Sequence, residues 1–148
     1  MKIPHLRWSI IALIFGASVL NYIDRQTLSI LAPTIQQDLK LTNEDYARVL
    51  NLFLVAYTTA SLLSGKIVDH LGVRVSLALF VGWWSIANIL TGFARSAGSL
   101  GIFRFLLGLG EAGNWTAAPK AVSEWFPARE RGIAIGLYTL GATIGATI

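Results

Sequence analysis

The sequence has no cysteine and few charged residues for its length. Of its 148 residues, 14% are charged and 54% are hydrophobic, and the mean hydropathy is +0.59. The absence of cysteine excludes disulfides, thiolate chemistry and cysteine metal ligands. Soluble domains carry about 25% charged residues, so this deficit indicates a chain that folds in lipid. The composition therefore predicts an integral membrane protein.

The sequence also lacks the short motifs of common enzyme classes. It contains neither H-E-x-x-H nor G-x-S-x-G, and His5 and His70 do not have metal-ligand spacing. The pattern G-x-G-x-x-G does occur at 108–113, but it lies inside an apolar segment rather than after a strand, where a dinucleotide site needs it. We therefore expect no enzymatic activity, no metal and no cofactor.

Five apolar segments are long enough, or nearly long enough, to cross a bilayer, which takes about 20 residues. They lie at approximately 8–31, 46–68, 75–94, 100–122 and 132–148. We expect an all-α membrane protein with four complete spans and most of a fifth, and we expect the complete protein to continue beyond Ile148. An alternative for the first segment is that the span ends at Leu20 and leaves the Asp24–Arg25 dipeptide at the membrane surface.

Basic residues outside the spans are distributed unevenly between the two sides of the membrane. Those of the N-terminal head and of the second and fourth connectors are Lys2, Arg7, Lys66, Arg74, Lys120, Arg129 and Arg131. The other two connectors carry only Lys40, Arg48 and Arg95. The positive-inside rule then places the N-terminus in the cytoplasm. The net charge of +4 reflects this orientation, and we expect lipid rather than nucleic acid as the surrounding partner.

The fourth apolar segment carries two full charges, Arg104 and Glu111. Seven residues apart on a helix, they point the same way at a separation of about 10 Å, with Gly108 between them. A charge at the bilayer centre costs roughly 2.5–3.5 kcal/mol, so such residues usually face a protein interior or an aqueous path. Two interpretations remain open: an ion pair that holds helices together, and a transport pathway.

Other polar residues within the apolar segments suit the recognition of an anion. Asp24 and Arg25 lie about 100° apart around the first helix, but they can still share one cavity. The planar guanidinium of arginine matches a carboxylate. We expect Tyr57 to be a packing aromatic unless it faces the same cavity as Arg25. A buried carboxylate is balanced between desolvation, which favours its protonated form, and a nearby arginine, which favours its ionised form.

Two motifs resemble signatures of the major facilitator superfamily. The turn at 65–74 is similar to its G-x-x-x-D-[RK]-x-G-[RK]-[RK] signature, which Gly65, Asp69, Gly72 and Arg74 match and from which His70 and Val73 depart. Arg104, Gly108 and Gly110 match the superfamily pattern R-x-x-x-G-x-G. The resemblance implies the N-terminal helical bundle of a two-half carrier, in which Asp69 and Arg74 belong to a cytoplasmic gate.

A narrower resemblance is to the anion:cation symporter family, which includes bacterial sugar-acid transporters. The run Asn21-Tyr-Ile-Asp-Arg25 looks like that family's motif in the first span, and residues 110–127 are similar to its hexuronate branch. The resemblance implies proton-coupled symport of an organic anion, such as a hexuronate, across a bacterial inner membrane. The proton is then the coupling ion, and the full-length carrier functions as a monomer.

The resemblance also implies roles for individual residues. Asp24 and Glu111 would bind protons, and Arg104 would be their ionic partner. Arg25 would receive the substrate carboxylate, Tyr22 and Tyr57 would donate hydrogen bonds to the substrate, and Asn114 would be an additional sugar contact. Two alternatives stay open: another carrier of the superfamily, for drugs or other carboxylates, and a small non-transporting membrane protein if the gene ends at Ile148.

Overall fold

The computed structural model describes residues 4–148, with side chains from Leu6 onward. Lys2, which was counted with the basic head, and the side chain of His5 lie outside the described part. The described residues form helices joined by short turns: α1 (Pro4–Ile30), α2 (Ala32–Asp38), α3 (Asn43–Leu71), α4 (Val73–Thr91), α5 (Ala97–Trp125) and α6 (Ala128–Thr147). The predicted all-α class is confirmed. The long helices overrun the predicted spans at most of their ends, and α2 is a short additional helix after the first span.

Local sequence signals set where the long helices begin. Thr42 and Asp45 form a capping box at the start of α3, and Ser96 and Ser99 form another at the start of α5. In each box the side chains satisfy amide groups that the first helical turn leaves free. Only Gly72 separates α3 from α4, with a φ of 76°. The 65–74 signature is therefore mostly helical, and its sharp reversal is confined to one residue that tolerates positive φ.

Three of the described helices are both long and apolar enough to cross a membrane: Leu6–Ile30, Asn43–Leu71 and Val73–Thr91. Their outward faces carry large exposed apolar side chains, such as Leu13, Leu62 and Ile86, which are 62–78% exposed. Lipid is the solvent that such faces require.

Because α1 is continuous through Ile30, Asp24 and Arg25 lie within a helix rather than after its end.

Helix α5 lies at the centre of the bundle, where it packs against α1, α3, α4 and α6. Glycines allow this close approach. A Cβ on Gly108 would stand 2.6 Å from the Phe53 carbonyl oxygen of α3, and a Cβ on Gly110 would stand 2.7 Å from the Trp83 ring of α4. Small residues are the usual means of close helix packing in lipid. Because α5 is central, its polar residues Arg104, Glu111 and Asn114 are buried.

Helices α1 and α6 run parallel and pack along their length. Arg7 forms an ion pair with Glu130 at their N-terminal ends, at 3.0 Å, and Gln26 Nε2 donates to the Ala146 carbonyl oxygen near their C-terminal ends, at 2.6 Å. Helix α3 is likewise parallel to α5, since Ser64 contacts Thr116 and Asp69 contacts Lys120. Helices α1 and α4 run antiparallel to α5.

Two features of the sequence bear on helix packing: the glycine pairs Gly132/Gly136 and Gly141/Gly145 predict close packing of the last helix, and Pro119 predicts an end or a kink in the fourth span. Of the two glycine pairs in the last helix, Gly141 and Gly145 pack against α1 as predicted, but Gly132 and Gly136 face open space. Pro119 does not end α5, which continues to Trp125. The helix persists because Ala117, Ala118 and Ala121 on either side of the proline are buried in the bundle.

Candidate functional site

An arginine of α1 and a glutamate of α5 form an ion pair inside the bundle. Arg25 Nε donates to Glu111 Oε2 at 2.9 Å. The Glu111 side chain is completely buried, whereas that of Arg25 is 31% exposed. Arg25 therefore lies between Glu111 and the accessible side of the bundle. One of its nitrogens, Nη2, is buried without a hydrogen-bond partner among the described residues, so the guanidinium has a donor left for a further acceptor.

Three aromatic rings surround the Arg25 guanidinium. Its Cζ atom lies 4.7 Å from the ring centroid of Tyr57, 5.2 Å from that of Phe53 and 5.5 Å from that of Tyr22. Such cation–π contacts hold a cation in place without neutralising it. Tyr57 therefore contacts Arg25 directly.

Asp24 points away from its neighbour Arg25, as the helical geometry requires. Its Oδ1 accepts a hydrogen bond of 2.8 Å from Asn88 Nδ2 of α4. The two carboxylates expected to bind protons therefore lie in different settings: Glu111 against a cation, and Asp24 against a neutral amide. Both remain within electrostatic range of Arg104.

Arg104 does not form the ion pair that its spacing from Glu111 suggested. It is 5% exposed, and its Nε atom has no hydrogen-bond partner among the described residues. It acts on Glu111 and Asp24 through space, since these are the two carboxylates that influence it electrostatically. The direct partner of Glu111 is Arg25 because α1 packs antiparallel to α5 and brings its own arginine alongside.

Asn114 lies in the α1–α5 interface. It is 1% exposed, and its Nδ2 donates to Ser18 Oγ of α1 at 3.2 Å. Asn21, the first residue of the motif at 21–25, is fully buried on the same side of α1. The amide group predicted to contact sugar is thus directed at a neighbouring helix in this structure.

The four residues of the gating motif lie at one end of the bundle. Gly65 and Asp69 belong to the last two turns of α3, Gly72 is the hinge, and Arg74 is exposed in the first turn of α4. Asp69 Oδ1 forms an ion pair with Lys120 Nζ of α5, and Lys120 also donates to the Val68 carbonyl oxygen at 3.4 Å. The motif predicted to form a gate therefore contacts the helix that carries Glu111.

Sequence reasoning missed three side chains of this site: Phe53, Asn88 and Lys120 as the partner of Asp69. Asn88 gave a signal, because a polar residue within an apolar span usually has a specific partner. Phe53 gave none, since a phenylalanine that packs against a cation inside the bundle and one that faces lipid look alike in sequence.

Comparison with known proteins identifies the family. The sequence model of the protein family described as Major Facilitator Superfamily matches residues 14–148. The chain belongs to the major facilitator superfamily. The resemblance inferred from the two signatures is confirmed, and so is the assignment of the fold to the N-terminal bundle of such a carrier.

Similar proteins of the superfamily include sugar-acid transporters. The chain is 38% identical to the hexuronate transporter of Escherichia coli strain K12 over 99% of its own length and 34% of that protein. It is 35% identical to the galacturonate transporter of Dickeya chrysanthemi, over 99% of its own length and 43% of that protein. The chain thus spans about a third to two-fifths of the length of these relatives.

A solved structure shares the fold. The crystal structure of a bacterial homologue of the human lysosomal transporter Spinster, in an inward-facing and occupied conformation, superposes with a TM-score of 0.87 at 27% identity. The superposition covers 94% of this chain and 30% of that one. The chain is therefore part of a multi-pass membrane protein.

Proposed function

We propose that the complete protein containing this chain is a proton-coupled symporter of an organic anion, a hexuronate or a related sugar acid. It works by alternating access in a bacterial inner membrane, with the N-terminus in the cytoplasm, as a monomer and without a cofactor. The names of the similar transporters support the substrate class. The observation that carries the proposal is the pair of a buried Glu111 with a partly exposed Arg25.

The pair couples a proton to an anion by competition for one guanidinium. When Glu111 is ionised, it occupies Arg25 Nε. A proton on Glu111 removes the negative charge, and Arg25 is then free to bind the carboxylate of a substrate through charge-assisted hydrogen bonds. When that proton leaves on the other side of the membrane, Glu111 reclaims Arg25 and displaces the substrate. Transport needs only two conformations with different affinities.

The surrounding residues have supporting roles in this scheme. Tyr22 and Tyr57 flank the guanidinium, where their hydroxyl groups can donate to the substrate. Asp24 is the second proton-binding carboxylate, and Arg104 adjusts both carboxylates through space. We assign Asn114 to the helix interface rather than to the sugar, because its amide is directed at Ser18.

The gate proposed for Asp69 and Arg74 completes the cycle. The ion pair of Asp69 with Lys120 joins α3 to α5, the helix on which proton binding occurs. A change at Glu111 therefore reaches the gate along one rigid helix. Arg74, which is exposed, is free to contact the other half of the carrier.

The test is uptake of radiolabelled galacturonate into cells that express the longest reading frame containing this chain, with and without an inward proton gradient. We expect accumulation that rises with the gradient, stops with a protonophore and is blocked by excess glucuronate. Uptake of a cationic drug in place of galacturonate, or no transport of any sugar acid by the well-inserted protein, would contradict the proposal.

A further inference from the structure

A set of buried polar atoms lies between two hydrogen bonds that join α1 to α5. One bond joins Arg25 to Glu111, and the other joins Asn114 to Ser18. Because the helices are antiparallel, Asn21 lies between these two bonds on the same face of α1, four residues before Arg25 and three after Ser18. Asn21 is 0% exposed. The interface is therefore polar along two turns of helix, and apart from Arg25 its polar side chains are closed to solvent.

Several atoms of this interface have no hydrogen-bond partner among the described residues. They are both amide atoms of Asn21, Oε1 of Glu111 and Oδ1 of Asn114. Leaving one buried polar group unsatisfied costs about 1–3 kcal/mol, so native proteins satisfy such groups with a protein atom or an ordered water. The unsatisfied atoms are complementary, since Asn21 supplies a donor and Glu111 and Asn114 supply acceptors.

We propose that Asn21, Glu111 and Asn114 hold an internal water molecule that binds the Glu111 oxygen not used by Arg25. One water can accept a hydrogen bond from Asn21 Nδ2 and donate two, to Glu111 Oε1 and Asn114 Oδ1. Buried waters typically make about three hydrogen bonds to such otherwise unsatisfied groups.

The site has a role in the proton cycle, and this step rests on the proposed function. A water donates to Glu111 when the carboxylate is ionised, and it accepts from the carboxyl O–H when Glu111 carries a proton. In the protonated state the freed O–H of the water turns to Asn21 Oδ1, the remaining unsatisfied acceptor, so the water serves both states without movement of a helix. Asn21 is then a positioning residue: it fixes the water and thereby stabilises the ionised form of Glu111.

The water itself can be observed independently of transport. In the full-length protein, infrared difference spectra recorded between acidic and alkaline pH should contain an O–H stretching band that shifts in H₂¹⁸O. We expect Asn21→Leu to remove this band, and Ser76→Ala, a buried polar-to-apolar change in α4, to retain it. A wild-type spectrum without the band, or a band that persists in Asn21→Leu, would overturn the proposal.

Transport gives the second readout. Asn21→Leu should reduce proton-driven accumulation at least tenfold while substrate counterflow, which needs no net proton release, stays within twofold of wild type. Asn21→Ser, which keeps a hydroxyl and leaves room for water, should restore most of the accumulation. A purely structural role would instead lower counterflow and accumulation together in both variants. Unchanged accumulation in a well-folded Asn21→Leu protein would contradict the assignment.

A Glu111→Gln variant separates failure of this inference from failure of the proposed function. If Glu111→Gln loses accumulation and Asn21→Leu retains both accumulation and the infrared band, only the water site is wrong. If Glu111→Gln accumulates substrate fully, proton coupling at Glu111 is wrong, while the infrared result still decides whether the water is present.

Discussion

Arg25 and Glu111, 86 residues apart in the sequence, form a direct ion pair between α1 and α5. The pair is asymmetric, because the carboxylate is completely buried and the guanidinium is partly exposed. Ionised groups inside a membrane protein are costly and usually functional. A proton and an anionic substrate that alternate in neutralising these two charges would provide the coupling that we propose.

The first prediction concerns the guanidinium of Arg25. Arg25→Lys keeps the positive charge but loses the planar set of donors that a carboxylate requires. Since a hydrogen bond to a charged group contributes about 1.5–3 kcal/mol, we expect substrate affinity to fall roughly 10- to 100-fold. Binding to purified protein measures this loss. Arg48→Lys, on an arginine whose side chain is 74% exposed, is the control and should bind like wild type. Equal affinity in Arg25→Lys would exclude a direct role for the guanidinium.

The second prediction concerns packing around α5. A methyl group on Gly113 would collide with the ring of Phe80, and overpacking of this kind typically costs about 1–3 kcal/mol. We expect Gly113→Ala to lower the thermal stability of the detergent-solubilised protein. Gly136→Ala is the matched control, because nothing lies within 4 Å of its added Cβ and alanine favours a helix over glycine. A loss of stability in the control alone would show that the packing of α5 is described wrongly.

The sequence predicts features that depend on residues close together in the chain. It does not predict features that depend on how separate helices pack. The cap formed by Thr42 and Asp45 was predictable, because it depends on residues three apart. The two glycine pairs of α6 share one spacing, four residues, yet only Gly141 and Gly145 are covered. That difference depends on which face α1 packs against, and the pattern within α6 does not contain this information.

The candidate site was also predictable only in part, because the sequence does not show which helices pack together. The charged residues Asp24, Arg25, Arg104 and Glu111 could be found from the sequence because charges are rare in apolar segments. Their pairing could not: spacing within one helix favoured Arg104 as the partner of Glu111, whereas packing of a distant helix supplies Arg25. The partners Asn88 and Lys120 likewise depend on how α4 and α5 lie against their neighbours.

The third prediction concerns the gate. The Asp69 side chain is 73% exposed, so its pair with Lys120 should contribute no more than about 1 kcal/mol to stability. We expect Asp69→Asn and Lys120→Met each to slow counterflow with little change in substrate affinity or thermal stability. If the ion pair carries the effect, the double variant should be no slower than either single variant. Additive slowing would indicate that the two residues act separately. Asp38→Asn, on the exposed end of α2, serves as the control.

The most direct test of the account is the transport behaviour of Glu111→Gln, measured in proteoliposomes beside Glu44→Gln, a change at an exposed residue of the first turn of α3. Glutamine keeps the shape of the side chain but cannot carry a charge or release a proton. The account predicts that Glu111→Gln exchanges substrate across the membrane but does not accumulate it against a gradient, while Glu44→Gln does both. Full proton-driven accumulation by Glu111→Gln would contradict the account.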